Sequence, residues 1–323
     1  MIEVDTPRDE LYDKLSGSVG NTSLREILPG VFTKMELENP GGSHYDRAYL
    51  DLIRWMEQRS LIRPGDEVRD ISSGSAVNSL AYVGQMLGYK VHAIVPDEIP
   101  TVRVEPAHGW GAEIVRCGKG YMPRAAAMQI DDIIAFSKDP AWRRITHSNN
   151  LIKSIIFEHS ITGERVCFLN HSENLLTVRS FRAIGEEALN QMSTPPSKAV
   201  LAIGNGTTLV GVGSSLRSHQ HHIELVGVQS PLDATIPQNF GMALPQTTSL
   251  GLGQQLRGIR MMNRVIPVNN HERDAMHQRV NQGLSPPYQL GRSSLMSLVV
   301  AERISSHGDG PVLTIGYDSM ERY

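Results

Sequence analysis

Short β-branched runs alternate with amphipathic stretches along nearly the whole chain, and this alternation constrains the fold more than any other feature. "DEVRDI" precedes a Ser/Gly turn and the helical "VNSLAYVGQMLGY". "KVHAIVP" precedes another helical stretch, after which "GAEIVRC" reads as a strand. "KAVLAIG" runs into the Gly-rich "NGTTLVGVG", "IELVGVQ" follows, and "GPVLTIG" is the last strand. Strand, turn, helix and strand in repetition predict parallel βαβ units, an α/β fold of mainly parallel sheets flanked by helices. Between about residues 230 and 258 Pro, Gly, Thr and Gln crowd together, and loops are expected there.

Three turns in this pattern are rich in glycine. "NPGGSHYDR", residues 39 to 47, follows the apolar "GVFTKMEL" and opens a segment where Tyr45, Ala48, Tyr49, Leu52 and Met56 recur at helical spacing. "ISSGSAVNS" covers residues 71 to 79 and "GNGTTLVGVG" residues 204 to 213. Open parallel sheets bind ligands at the carboxyl ends of their strands, where helix N-termini gather N–H donors. One such turn is as readily a tight connection. Three of them, each with Ser or Thr hydroxyls, are better explained by one shared anionic ligand. For Ser72, Ser73 and Ser75 the plainer role of helix capping stands beside that of ligand donor.

The bulk numbers exclude several classes. A net charge of −3 leaves no basic stripe of the kind that binds nucleic acid. The longest apolar runs, such as "SLMSLVV", are too short to span a bilayer. The N-terminal "MIEVDTPRDELYDK" is acidic and mixed, unlike a signal or transit peptide. Cys117 and Cys167 lack metal-ligand spacing, so a cytoplasmic location is expected. His219, His221 and His222 read as a solvated loop rather than a metal site, because no carboxylate pair or thiolate lies near.

Taken together, these segments resemble the cysteine synthase family (O-acetylserine sulfhydrylase and cystathionine β-synthase relatives), which are fold-type II pyridoxal-phosphate enzymes. The family's Gly-Asn-Thr-Pro-Leu opening is matched by "GNTSL" at residues 20 to 24, and its lysine motif by "NPGGSHYDR". "RSLIRPG", "SSGSAV" at residues 72 to 77, "GYKVHAIVPDEIP", "GAEIV" and "GNGTT" follow in family order, and "GRSSLMS" and "DSMERY" close the match. The resemblance implies a tryptophan synthase β-like architecture of two α/β domains with the cofactor between them. Residues 42–150 would form the smaller domain, and residues 1–41 with 151–323 the larger. It also implies a homodimer.

At Tyr45 the likeness breaks. The resemblance puts there the lysine that forms the imine with pyridoxal phosphate and later removes the substrate's Cα proton. A phenol oxygen forms no imine with an aldehyde. With an ordinary pKa of roughly 10, it donates a proton before it accepts one. No other lysine falls in a candidate turn, and Lys34 in the preceding strand has no evident route to the cleft. Further departures accompany the first. Ser75 stands for the asparagine that contacts the cofactor's phenolic oxygen, and Ala76 for a carboxylate-binding threonine. Thr207 replaces the third glycine of the phosphate loop. Gly204, Gly206 and Thr208 keep their places, Ser293 stands where the family faces the pyridine nitrogen, and Asn170 or His171 falls near its substrate-binding glutamine.

Two catalytic candidates therefore stand at the former lysine position, Tyr45 and His44. The expected anion-binding residues are Ser72, Ser73, Gly74, Ser75, Asn170, His171, Gly204, Asn205, Gly206, Thr207, Thr208 and Ser293. The leading expectation is a cofactor-independent biosynthetic enzyme acting on an anionic or amino-acid-like small molecule between the domains. No covalently bound cofactor is expected. The alternatives are a non-catalytic relative that binds a metabolite or a partner's C-terminal peptide, and an enzyme that uses non-covalent pyridoxal phosphate for β-replacement or elimination.

Overall fold

Two six-stranded sheets organise the computed structural model, which describes residues 7–145, 153–229, 260–285, 288–305 and 310–323. The first holds β1 (Leu24–Leu28), β2 (Val31–Lys34), β9 (Lys198–Ala202), β10 (Glu224–Gln229), β11 (Arg264–Pro267) and β12 (Val312–Ile315), in the order β1-β2-β12-β9-β10-β11. Only the β1–β2 hairpin in it is antiparallel. The second holds β3 (Glu67–Ile71), β4 (Lys90–Val95), β5 (Glu113–Arg116), β6 (Trp142–Arg144), β7 (Ile155–His159) and β8 (Arg165–Phe168), in the order β5-β4-β3-β8-β7-β6. Its β5-β4-β3-β8 part is parallel. A central parallel strand is covered on both faces, so it needs apolar side chains on both. β9 and β12 are buried along their whole length accordingly.

β7 and β8 pair within the second sheet, so its strands extend along the chain to Phe168. Alternation marks a strand, but it does not say which sheet the strand joins. The loop expected at residues 230 to 258 lies outside the described residues.

Each sheet has its own apolar core, and the helix α2 (Tyr45–Glu57) lies between them. Ala48 packs into the first core, while Tyr49, Leu52, Ile53 and Met56 pack into the second. The apolar positions of α2 recur every three or four residues, so the helix presents apolar surface on both sides. Tyr45, at its first turn, touches both cores. Two further helices open on glycines in conformations that disfavour a Cβ. Gly74, at φ 142°, precedes α3 (Ser75–Met86), and Gly206, at φ 91°, precedes α7 (Thr207–His219). Thr207 itself is already helical, which a β-branched residue tolerates. The remaining helices are α1 (Arg8–Ser18), α4 (Thr101–Gly109), α5 (Tyr121–Lys138), α6 (Leu175–Gln191), α8 (Asn270–Val280) and α9 (Arg292–Ser305). Among the described residues, no helix is long and apolar enough to cross a membrane.

A buried charge network ties α2 to the first sheet. Arg47 meets Glu36 through Nε and Nη2 at 2.7 and 2.8 Å, and meets Glu187 of α6 through Nη1 and Nη2 at 2.6 and 2.8 Å. Lys34 completes it, with Nζ 2.8 Å from Glu187 and a further bond to the Thr22 carbonyl. Its amine is thus buried and paired in this network.

Candidate functional site

The carboxyl ends of the parallel strands of both sheets face one cleft. Its walls include His44 and Tyr45 at the start of α2, Ser72, Ser73 and Ser75 after β3, and His171 and Ser172 after β8. From the first sheet come Gly204, Asn205, Gly206 and Thr208 after β9, together with Ser293 and Asp318. Of the expected residues, Gly74, Asn170 and Thr207 do not line it. Gly74 lies against the Arg103 side chain. Asn170 turns the chain at φ 53°, a left-handed conformation that asparagine tolerates, and so presents the next two residues to the cleft. Thr207 turns its hydroxyl to Asn205 Oδ1, 2.7 Å away.

Tyr45 is half-buried among rings. His44 lies 4.2 Å from it between centroids, His171 5.2 Å and Phe181 5.7 Å, the last two edge-on. Burial pushes its phenol above the ordinary value, more than its hydrogen bond with Asn205 and the nearby Arg103 pull it down. Tyr45 is therefore a proton-bearing donor near neutrality. His44 is buried, and burial lowers its imidazole to about 4. Its Nε2 stands 3.1 Å from Thr208 Oγ1. His44 and Tyr45 thus share the cleft wall, yet their polar atoms engage different partners.

Several cleft residues carry no sequence signal of their own. Arg103 of α4 is buried in the cleft wall, with Nε 2.8 Å from the Ser73 carbonyl and Nη2 3.5 Å from Asp318 Oδ2. The Tyr323 ring covers its guanidinium at 4.1 Å. Ser75 donates to the same Asp318 oxygen from the other sheet. Ser72 accepts the Gly74 N–H at 3.1 Å, so its hydroxyl serves the turn. Tyr317 accepts the Ala202 N–H at 2.8 Å and seals the floor. Asp318 lay within the quoted "DSMERY" and Ser172 is one position past His171, while Arg103 sits in a helix whose pattern gives no hint of it.

Below the cleft wall, Asp70 at the end of β3 is buried and richly bonded. Its Oδ2 lies 2.9 Å from His171 Nδ1 and accepts from Tyr49 Oη at 3.1 Å and from the His171 backbone N–H at 3.2 Å. Its Oδ1 accepts the Ile71 N–H at 2.9 Å. β3 and β8 are parallel neighbours, which places the residues following each strand side by side.

Comparison with known proteins gives a consistent picture. The family model described as "Pyridoxal-phosphate dependent enzyme" matches residues 15–276. Cysteine synthase B of Salmonella typhimurium is 26% identical over 230 residues, which are 69% of this chain and 67% of that protein. Cysteine synthase B of Escherichia coli is 24% identical over 322 residues, or 96% of this chain and 93% of that one. Among solved structures, O-ureido-L-serine synthase aligns with a TM-score of 0.74 at 20% identity, covering 96% of this chain and 92% of its own. Cysteine synthase from Entamoeba histolytica aligns with a TM-score of 0.73 at 19% identity, covering 100% and 92%. At such identities the structural likeness speaks for the fold alone.

Proposed function

Because the chain belongs to the pyridoxal-phosphate-dependent enzyme family, its cleft can be set against that cofactor, and we propose that it works without a covalent tie to it. The observation that carries this reading is the composition of the wall. Tyr45 stands at the head of α2, and no lysine lines the cleft among the described residues. Lys34, the lysine nearest in sequence, is committed to Glu187 and the Thr22 carbonyl. The turn expected to grip a phosphate is partly occupied from within, since Thr207 bonds Asn205 and Thr208 bonds His44. These residues do not fit a tethered aldehyde.

In this reading the protein is an enzyme acting on a small anionic or amino-acid-like molecule. Tyr45, kept protonated by burial, donates a hydrogen bond or a proton to it. Arg103, with the serine turn beside it, supplies positive potential to the cleft. Hydroxyl, amide, imidazole and charged groups from both halves converge on the cleft, and aromatic rings shape it.

The test is spectroscopic. Purified protein is mixed with pyridoxal phosphate, treated with borohydride and mapped by peptide mass spectrometry. No stoichiometric adduct is expected on the wild type, whereas one modified lysine at full occupancy together with a matching visible band would refute the proposal.

A further inference from the structure

The hydrogen bonds around Ser172 form a continuous series from Asn205 to Asp70. Asn205 Oδ1 accepts from the Thr207 N–H at 3.1 Å and from the Thr207 hydroxyl at 2.7 Å, so its amide is oriented with Nδ2 outward. That Nδ2 donates to Ser172 Oγ at 3.0 Å. Ser172 Oγ already accepts one bond, and its own hydrogen is left for the neighbour on the other side, His171 Nε2, at 3.3 Å. His171 Nδ1 lies 2.9 Å from Asp70 Oδ2 and 3.1 Å from Tyr49 Oη; with the ring hydrogen on Nδ1 the imidazole donates to the carboxylate and leaves Nε2 to accept from Ser172. Tyr49 is raised well above its ordinary value by burial and by Asp70, so it reinforces the carboxylate as a donor.

A hydroxyl, an imidazole and a buried carboxylate in that order, with the ring hydrogen on the carboxylate side, form the arrangement that activates a serine for attack on an acyl carbon. Here the serine and the imidazole line the cleft while the carboxylate lies buried behind them. The 3.3 Å separation between Ser172 and His171 is at the long end of hydrogen-bond reach, as is common before a ligand compresses such a pair. We infer that Ser172, His171 and Asp70 form a nucleophilic relay that makes this cleft a site of acyl transfer from a small ester to water.

Ser172 Oγ forms a bond to the ester's carbonyl carbon as His171 Nε2 takes the hydroxyl proton. The bond between that carbon and the alkoxy oxygen breaks, and His171 returns the proton to the departing oxygen. Water then attacks the Ser172 ester, again losing its proton through His171, and carboxylic acid leaves with Ser172 restored. Asp70 holds the ring and balances the charge on it between these events. Tyr45 bonds the same Asn205 amide that steadies Ser172, which puts a neutral donor at the edge of the reacting region.

The inference rests on the cleft being the ligand site, and its test is separable from that reading. p-Nitrophenyl acetate is added to the whole protein, nitrophenol release is followed, and intact and peptide masses are taken after acid quench. One acetyl group on Ser172 is expected. Its formation should be lost in Ser172→Ala and slowed about 10²-fold or more in Asp70→Asn. Ser172→Cys should still take the group, as a thioester, and it keeps the test decisive if the alanine protein fails to fold. Acetylation confined to lysines or tyrosines, or an undiminished rate in Ser172→Ala, would overturn the relay. Equilibrium binding of small carboxylates, measured by calorimetry on wild type and Tyr45→Phe, addresses the cleft separately. Tyr45-dependent binding without acylation defeats the relay alone, while acylation without such binding defeats the earlier reading alone.

Discussion

His44 Nε2 and Thr208 Oγ1 stand 3.1 Å apart, which joins the residue just ahead of α2 to the first turn of α7 across the two Gly-rich turns. Burial holds this imidazole at about 4. Two positions on, Asp46 is buried and its carboxyl is raised to about 6, mainly by desolvation, against bonds from Ser79 and the Gly41 N–H.

These two shifts act on stability with opposite signs. Between pH 6.5 and 4 the unfolded chain binds the His44 proton more readily than the folded one, so His44's contribution is lost as pH falls through that window. Between pH 3.8 and 6 the folded chain holds the Asp46 proton more readily, so Asp46's contribution is lost as pH rises. In the wild type the two partly cancel. Asp46→Asn removes the second, and its urea midpoint should fall more steeply than the wild type's as pH drops from about 6.5 to 4.5. Parallel curves for the two proteins would show that the pair is not coupled to folding in this way.

Tyr45→Lys offers a gain rather than a loss. If α2 presents this position as the family presents its lysine, the variant should acquire borohydride-trappable pyridoxal phosphate where the wild type does not. Failure of the folded variant to bind the cofactor covalently would mean that the cleft has diverged beyond the one side chain.

Arg47 clasps two carboxylates, Glu36 and Glu187, and Glu36 is fully buried. Its removal strands Glu36 without its fork. Arg47→Ala should cost about 3–5 kcal/mol in denaturant unfolding. Arg47→Lys should recover only part of that, since a point charge cannot pair bidentately with both partners. A loss below about 1 kcal/mol would mark the network as dispensable.

Gly211 of α7 lets two helices touch. A Cβ there would stand 2.5 Å from the Val178 carbonyl and 2.7 Å from Phe181 Cβ on α6. Gly211→Ala should destabilise the fold by about 1–3 kcal/mol through overpacking. It should also disturb the cleft, because Phe181 packs on both His44 and Tyr45. A change in stability with unaltered ligand affinity would show that this displacement is absorbed before it reaches Tyr45.

Much of this molecule was legible in the sequence because its determinants are local. The spacing of Tyr45, Ala48, Tyr49, Leu52 and Met56 foretells α2 and its buried faces, and the Gly-rich turns foretell where strands hand over to helices. Tyr45 was placed by its neighbours in the "NPGGSHYDR" run. The partners of Ser75 and Arg103 were not legible, because Asp318 lies 243 and 215 positions away and no periodicity links them. Asp70 looked like one more residue in a strand. Its role emerges only when β3 pairs with β8 and brings His171 beside it. The pairing of β7 and β8 in the second sheet is likewise a property of the assembled sheet and not of either strand's own pattern.

Ser172 with Asn205, and Ser75 with Asp318, each span the gap between the two halves of the molecule. A guest large enough to part the two halves would break these clasps and would have to offer equivalent donors and acceptors in exchange. An oily guest of the right size has nothing to offer, whereas a compact molecule bearing oxygens at both ends can substitute for each clasp in turn. The resting architecture thus acts as a filter for polarity before any chemistry begins.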